Sequence, residues 1–161
     1  MKPRVSESLS RKPIVLYHAA AERRQAGRAA YERRDYVLAA YLAGLSVECI
    51  LQAIALRHDP THDARHDLAM WLARCGLTLQ RAVKTPPAVG RWNLLVRVWR
   101  NELRYLSRSG FLGYVRGLGL HMGISGGTEA IMKQNAKCLL EAAAAVHNAG
   151  VIEWDRSTGR S

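Results

Sequence analysis

The chain has 161 residues, of which 48% are hydrophobic, and a formal net charge of +11. This length and composition suit one folded domain and exclude a disordered chain. No run of about 18 apolar residues occurs and the first residues lack the apolar core of a signal peptide, so we expect a cytoplasmic protein with no membrane partner. Three scattered cysteines predict neither a disulfide framework nor a zinc site.

Two segments hold the excess positive charge. Residues 1–34 carry nine basic and three acidic side chains, and residues 81–116 carry eight and one, whereas residues 35–80 carry three and five and residues 117–161 carry four of each. If the two basic segments meet in the fold, they produce a field that attracts phosphate groups. The pattern favours a nucleic-acid partner, with a generally basic protein as the alternative.

The predicted elements are all helical, since no stretch alternates apolar and polar residues as a strand does. After a basic, flexible segment over residues 1–13, an alanine- and arginine-rich helix is predicted over residues 14–33. A second helix over residues 35–58 is apolar over a wide arc and therefore central, and its short connection to the first predicts an antiparallel pair. Further helices are predicted over residues 64–74, 78–84, 92–108 and 128–148, followed by a C-terminal tail over 151–161. The predicted fold is an all-α antiparallel bundle of about five helices, occupying residues 14–150.

The stretch HDPTHDARHD places histidines at intervals of four residues. Pro60 prevents one continuous helix through His58, His62 and His66, so their imidazoles do not share a helical face. Aspartate and threonine are common turn and N-cap residues. We therefore predict a capped turn before the third helix, with no bound metal and no other cofactor.

Several features between residues 26 and 106 follow one another in a characteristic order. They are a tyrosine-rich helix start, a glutamate among small and apolar residues, a His-Asp-Leu start to the next helix, and a later Trp-Arg-Tyr element. The residues are Tyr36, Tyr41, Glu48, His66, Asp67, Leu68, Leu72 and the segment VWRNELRYL at residues 98–106. In this order and spacing the chain resembles the HEPN superfamily. The resemblance implies a helical bundle that often dimerises, and a link to RNA cleavage, RNA binding or nucleotide-based defence systems.

Glu48 is predicted to lie on a buried surface of the second helix. A buried carboxylate needs a hydrogen-bonding partner or takes up a proton. An arginine, or His66 from the next helix, is the expected partner. We predict a structural role for Glu48, and likewise for His66, Asp67 and Tyr105.

The resemblance also implies a catalytic motif of an arginine, four to six intervening residues and a histidine, in which the arginine holds phosphate and the histidine transfers protons without a metal. The chain has 19 arginines and 6 histidines, which produce about two such spacings by chance. Three occur, at Arg11–His18, Arg57–His62 and Arg116–His121. In RNELRY, Tyr105 occupies the position where the motif would place its histidine, and tyrosine is a poor proton shuttle at neutral pH. We therefore predict no efficient catalysis, with Arg116 and His121 as the candidate catalytic pair if the chain is an enzyme.

A row of arginines is predicted along one face of the helix over residues 92–108. The row comprises Arg97, Arg100, Arg104 and Arg108, with Asn101 beside it. Charges of one sign repel one another unless anions or carboxylates lie near them, and arginine suits bidentate contacts to phosphate. We predict that the row binds nucleic-acid phosphate, and the alternative is pairing with carboxylates of this chain or of a protein partner.

Three functions follow from these patterns. The predicted function is a non-catalytic RNA-binding or regulatory subunit of a prokaryotic defence or toxin-antitoxin type system, with RNA favoured over DNA. The alternatives are a metal-independent endoribonuclease toxin, using Arg116 and His121 or a composite site, and a structural partner of a nucleotidyltransferase-like protein. A homodimer or a protein partner is expected, with Trp92 and Trp154 as exposed contacts at segment edges.

Overall fold

The computed structural model describes residues 12–159. Within that range every regular element is helical, so the predicted all-α class is confirmed. The elements are α1 (Pro13–Glu32), α2 (Tyr36–His58), α3 (Leu68–Ala73), α4 (Leu77–Lys84), α5 (Ala88–Val98), a 3-10 helix (Asn101–Tyr105), α6 (Arg108–Gly117) and α7 (Gly127–Ser157). Most of the basic segment predicted over residues 1–13 lies outside the described residues.

A tight turn connects α1 to α2 and makes them the predicted antiparallel pair. Arg34 adopts a left-handed conformation with φ of 63°, and the Asp35 amide returns to the carbonyl of Ala30, which ends α1. Asp35 then caps α2, because its Oδ1 accepts a hydrogen bond from the Leu38 amide at 3.2 Å. Three residues therefore reverse the chain and fix the first two helices side by side.

The central helix of the bundle is α2, which contacts α1, α3, α7 and the 3-10 helix. Gly150 of α7 meets it so closely that an added Cβ would lie 2.5 Å from Cγ1 of Ile50. By length and composition alone α2 could cross a membrane, the one such helix in the described residues, but most of it is buried inside the bundle. Its apolar character therefore serves the core, as its wide apolar arc predicted.

The prediction of one continuous helix over residues 92–108 is wrong. Helix α5 ends at Val98, the 3-10 helix follows, and α6 starts after Ser107, whose Oγ accepts a hydrogen bond from the Gly110 amide at 3.1 Å. The cause is Trp99, which takes an extended conformation and buries its indole against α2, where its Nε1 donates to the carbonyl of Tyr41. Tertiary packing here overrides local helix propensity.

The last helix is longer than predicted. It continues to Ser157, so residues 151–157 belong to the bundle and not to a tail. Trp154 is buried and stacks on Tyr17 with ring centroids 4.5 Å apart. Trp92 is buried too. The expectation that these two tryptophans are exposed contacts is therefore wrong, and self-association remains a prediction that rests on the family resemblance.

Candidate functional site

A buried carboxylate pairs with a histidine at the surface of α2. Both oxygens of Glu48 lie 3.1 Å from Nδ1 of His66, which stands just before α3. The Glu48 side chain is 5% exposed and that of His66 is 51% exposed. The pair thus runs from the core to the surface, and His66 is one of the two partners predicted for Glu48.

Burial and hydrogen bonding act on the Glu48 carboxyl in opposite directions. Burial raises the pKa of its carboxyl above the usual value, and the hydrogen bond and charge of His66 offset part of that rise. Gln52, one turn further along α2, donates to Oε1 of Glu48 at 2.8 Å. Both carboxylate oxygens of Glu48 therefore take part in hydrogen bonds, and these bonds fix the orientation of the His66 ring.

The loop that carries His66 is held by its own aspartates. Asp59 accepts hydrogen bonds from Thr61, and Asp63 accepts one from the Arg65 amide at 3.0 Å. Asp67 caps α3 by accepting from the Met70 amide at 2.9 Å. The predicted capped turn is confirmed, although α3 starts at Leu68, four residues later than predicted.

Arg65 occupies a constrained position in this loop. Its φ of 49° lies in the left-handed region, which non-glycine residues seldom adopt. Its amide donates to Asp63 and its carbonyl accepts from Nε1 of Trp71 at 2.9 Å. The backbone is thereby held on both sides, while the Arg65 side chain remains exposed.

The opposite wall of the site depends on close packing between Trp99 and α2. A Cβ added to Gly44 would lie 1.6 Å from Cδ1 of Trp99, so the indole occupies the space that a side chain at position 44 would fill. The ring of His66 meets Trp99 edge-on, with centroids 6.2 Å apart. Arg100 follows at the surface, and its Nη1 donates to the carbonyls of Val96 and Trp99. It therefore satisfies carbonyls that the end of α5 leaves free.

The two walls enclose a cleft of about 510 Å³. Its polar lining includes Arg65 and His66 from the loop before α3, and Arg100 and Asn101 from the segment after α5. The carboxylates of Asp67 and Glu102 also line the cleft, and Asp67 is already engaged as the N-cap of α3. The remaining lining is formed by Ala64, Leu68, Ala69, Val96 and Trp99. Guanidinium, imidazole and amide groups around one concave space are suited to holding an anion.

The four arginines predicted to form one row do not lie on one helix. Arg97 donates to the carbonyl of Leu118, and Arg104 lies over the ring of Tyr105 at 4.6 Å. Arg108 pairs with Glu129 of α7. Only Arg100 with Asn101 lies in the cleft, so the single predicted surface is divided because the helix is interrupted at Trp99.

The other predicted site residues lie apart from the cleft lining. Arg116 is exposed in the last turn of α6, and His121 is partly buried in the following loop. No hydrogen bond or ion pair within the described residues joins them, and their catalytic role remains a prediction. Tyr105, predicted as a structural polar residue, is 73% exposed and contacts Arg104.

The sequence does not single out Arg65, because an isolated arginine carries no pattern, although its place beside the His-Asp-Leu element is a usable signal. Nor does it show that Trp99 packs into the space beside Gly44, because this contact joins positions far apart in the chain. Comparisons with protein-family models, curated proteins and solved structures find no match to this chain. The likeness to HEPN domains therefore depends on the residues quoted above.

Proposed function

We propose that this protein binds RNA, with the cleft between His66 and Arg100 as its phosphate contact. Its role would be that of a non-catalytic RNA-binding or regulatory subunit, in the type of prokaryotic defence or toxin-antitoxin system that the HEPN resemblance implies. The observation that supports this is the presence of two exposed arginines and a histidine around one cleft.

The ion pairing of the chain supports the same proposal. Among the arginines of residues 12–159, only Arg108 and Arg156 lie within ion-pair distance of a carboxylate. Unpaired guanidinium groups on one molecule repel one another, and phosphate relieves that repulsion while releasing counterions from the nucleic acid. The surplus of positive charge is therefore free to act on an external polyanion.

The test is the affinity for a short, labelled single-stranded RNA, measured by fluorescence anisotropy at low and at physiological ionic strength. The variant Arg65→Ala/Arg100→Ala removes two cleft charges. The matched control, Arg81→Ala/Arg91→Ala, removes two exposed charges from α4 and α5 that do not line the cleft. The cleft variant should lower the slope of log affinity against log salt by about two, one for each lost phosphate contact.

The control variant distinguishes a localised RNA-binding site from general electrostatic attraction to the basic surface. If the cleft is the contact, the cleft variant weakens binding well beyond the control at both ionic strengths. Equal losses in the two variants would mean that RNA responds to net charge alone. Undetectable binding of the unaltered protein at low ionic strength would reject the proposal.

One observation favours a second candidate function, metal-independent RNA cleavage. His66 is held by a buried carboxylate and is half exposed beside two arginines, which is a suitable arrangement for proton transfer near phosphate. Cleavage of RNA in the presence of a chelator, lost in His66→Ala and kept in His121→Ala, would support it. Loss only in His121→Ala would instead support the pair Arg116 and His121.

A further inference from the structure

We infer that the cleft selects a terminal phosphomonoester, the phosphorylated end of an RNA or a nucleotide, over the internal phosphodiesters of a strand. The inference rests on the proposed function, since it specifies which phosphate the same cleft receives. It follows from the number and placement of donors around the cleft and from the placement of its carboxylates.

Three nitrogen-bearing side chains, those of Arg65, His66 and Arg100, line the cleft. Arg65 extends from a loop whose backbone is held on both sides, and Arg100 is fixed at the end of α5 by two carbonyls. His66 uses Nδ1 toward Glu48, so its other ring nitrogen points away from the core. Glu48 thereby fixes the orientation of the ring, whose remaining nitrogen is available to a bound group.

The count of donors matches a terminal phosphate. A phosphomonoester carries a charge near −2 at neutral pH and three strong acceptor oxygens, whereas an internal phosphodiester has one charge and two non-bridging oxygens. The guanidinium groups of Arg65 and Arg100 offer several N–H donors and two positive charges, which match the charge and the three oxygens of a terminal phosphate better than those of an internal phosphodiester.

The acidic lining disfavours a strand that continues through the cleft. Asp67 and Glu102 lie in the same lining as the donors. A strand passing through would place neighbouring phosphates near these carboxylates, at an electrostatic cost. A chain end, or a single nucleotide, places only one phosphate in a volume that suits one small ligand.

The test is displacement of the labelled RNA by unlabelled RNA of one sequence that carries a 5′-phosphate, a 3′-phosphate or no terminal phosphate. A phosphorylated end should compete about five- to tenfold better than the unphosphorylated RNA, as one added charge-assisted contact in a solvated cleft implies. The end that shows the advantage identifies the source of the phosphate. The advantage should persist in Arg81→Ala/Arg91→Ala and vanish in Arg65→Ala/Arg100→Ala.

Equal competition by all three RNAs would overturn the inference. The proposed function would survive that result if Arg65→Ala/Arg100→Ala still weakened binding of the labelled RNA. If the unaltered protein bound no RNA, direct calorimetric titration with adenosine monophosphate and with adenosine would still decide the inference. Preference for the monophosphate that depends on Arg65 and Arg100 supports it, and equal or absent binding of both rejects it.

Discussion

Substitution of Gly44 by alanine tests how the cleft wall is built. The added methyl group would lie 1.6 Å from Cδ1 of Trp99, a separation that only movement of the indole relieves. Trp99 is 2% exposed and donates to the carbonyl of Tyr41 at 3.2 Å. The substitution therefore displaces a buried ring and breaks its hydrogen bond.

The expected cost follows from three contributions. Overpacking a core costs about 1–3 kcal/mol. Loss of the Trp99 hydrogen bond adds about 1 kcal/mol. Alanine recovers about 1 kcal/mol because it is a better helix former than glycine. We therefore expect Gly44→Ala to lower the free energy of unfolding by about 1–3 kcal/mol.

Urea denaturation measures this change, with Gly90→Ala as the matched control. Gly90 lies in α5, and a Cβ there meets no atom within 4 Å. That variant should gain about 0.5–1 kcal/mol from helix propensity. RNA affinity should fall in Gly44→Ala alone, since Trp99 lines the cleft. Equal unfolding free energies for the two variants would refute the packing argument.

Three other predictions concern histidine and cysteine side chains. His66→Ala should cost about 1–3 kcal/mol by leaving Glu48 without its main partner, and adding Glu48→Leu should recover part of the loss, as chemical denaturation would reveal. Burial lowers the pKa of His147 to about 4, from 6.5, so the unfolded chain binds more protons in this range and stability falls as the pH drops through it. His147→Leu should flatten that dependence in thermal melts at several pH values, whereas an unchanged profile would contradict the assignment. A thiol reagent should modify half-buried Cys138 before the other two cysteines. The reason is that burial raises the pKa of Cys49 to about 11 and that of Cys75 to about 12, so these thiols form little thiolate. Mass spectrometry at successive times measures the order of modification, and any other order would contradict the prediction.

The parts of the fold that local patterns control could be predicted from the sequence. Apolar periodicity located α2 and buried Glu48, and the aspartates around the His-Asp-Leu element indicated a capped turn. Because Glu48 is predicted to be buried and His66 to lie at the start of the next helix, His66 is one of the two partners expected for Glu48. The all-α class followed equally from the absence of alternating patterns.

The break at Trp99 could not be predicted in this way, because its cause lies in another helix. Residues 92–108 have a good helical pattern, and nothing near them indicates that Gly44 leaves space for an indole. The same break changes the site, since it separates Arg100 from Arg97, Arg104 and Arg108 and turns it toward His66. A helical arginine row would follow a strand over several phosphates, whereas one arginine at a helix end faces a single bound group. The character of the proposed site, a cleft instead of a surface row, therefore depends on a contact between residues 55 positions apart.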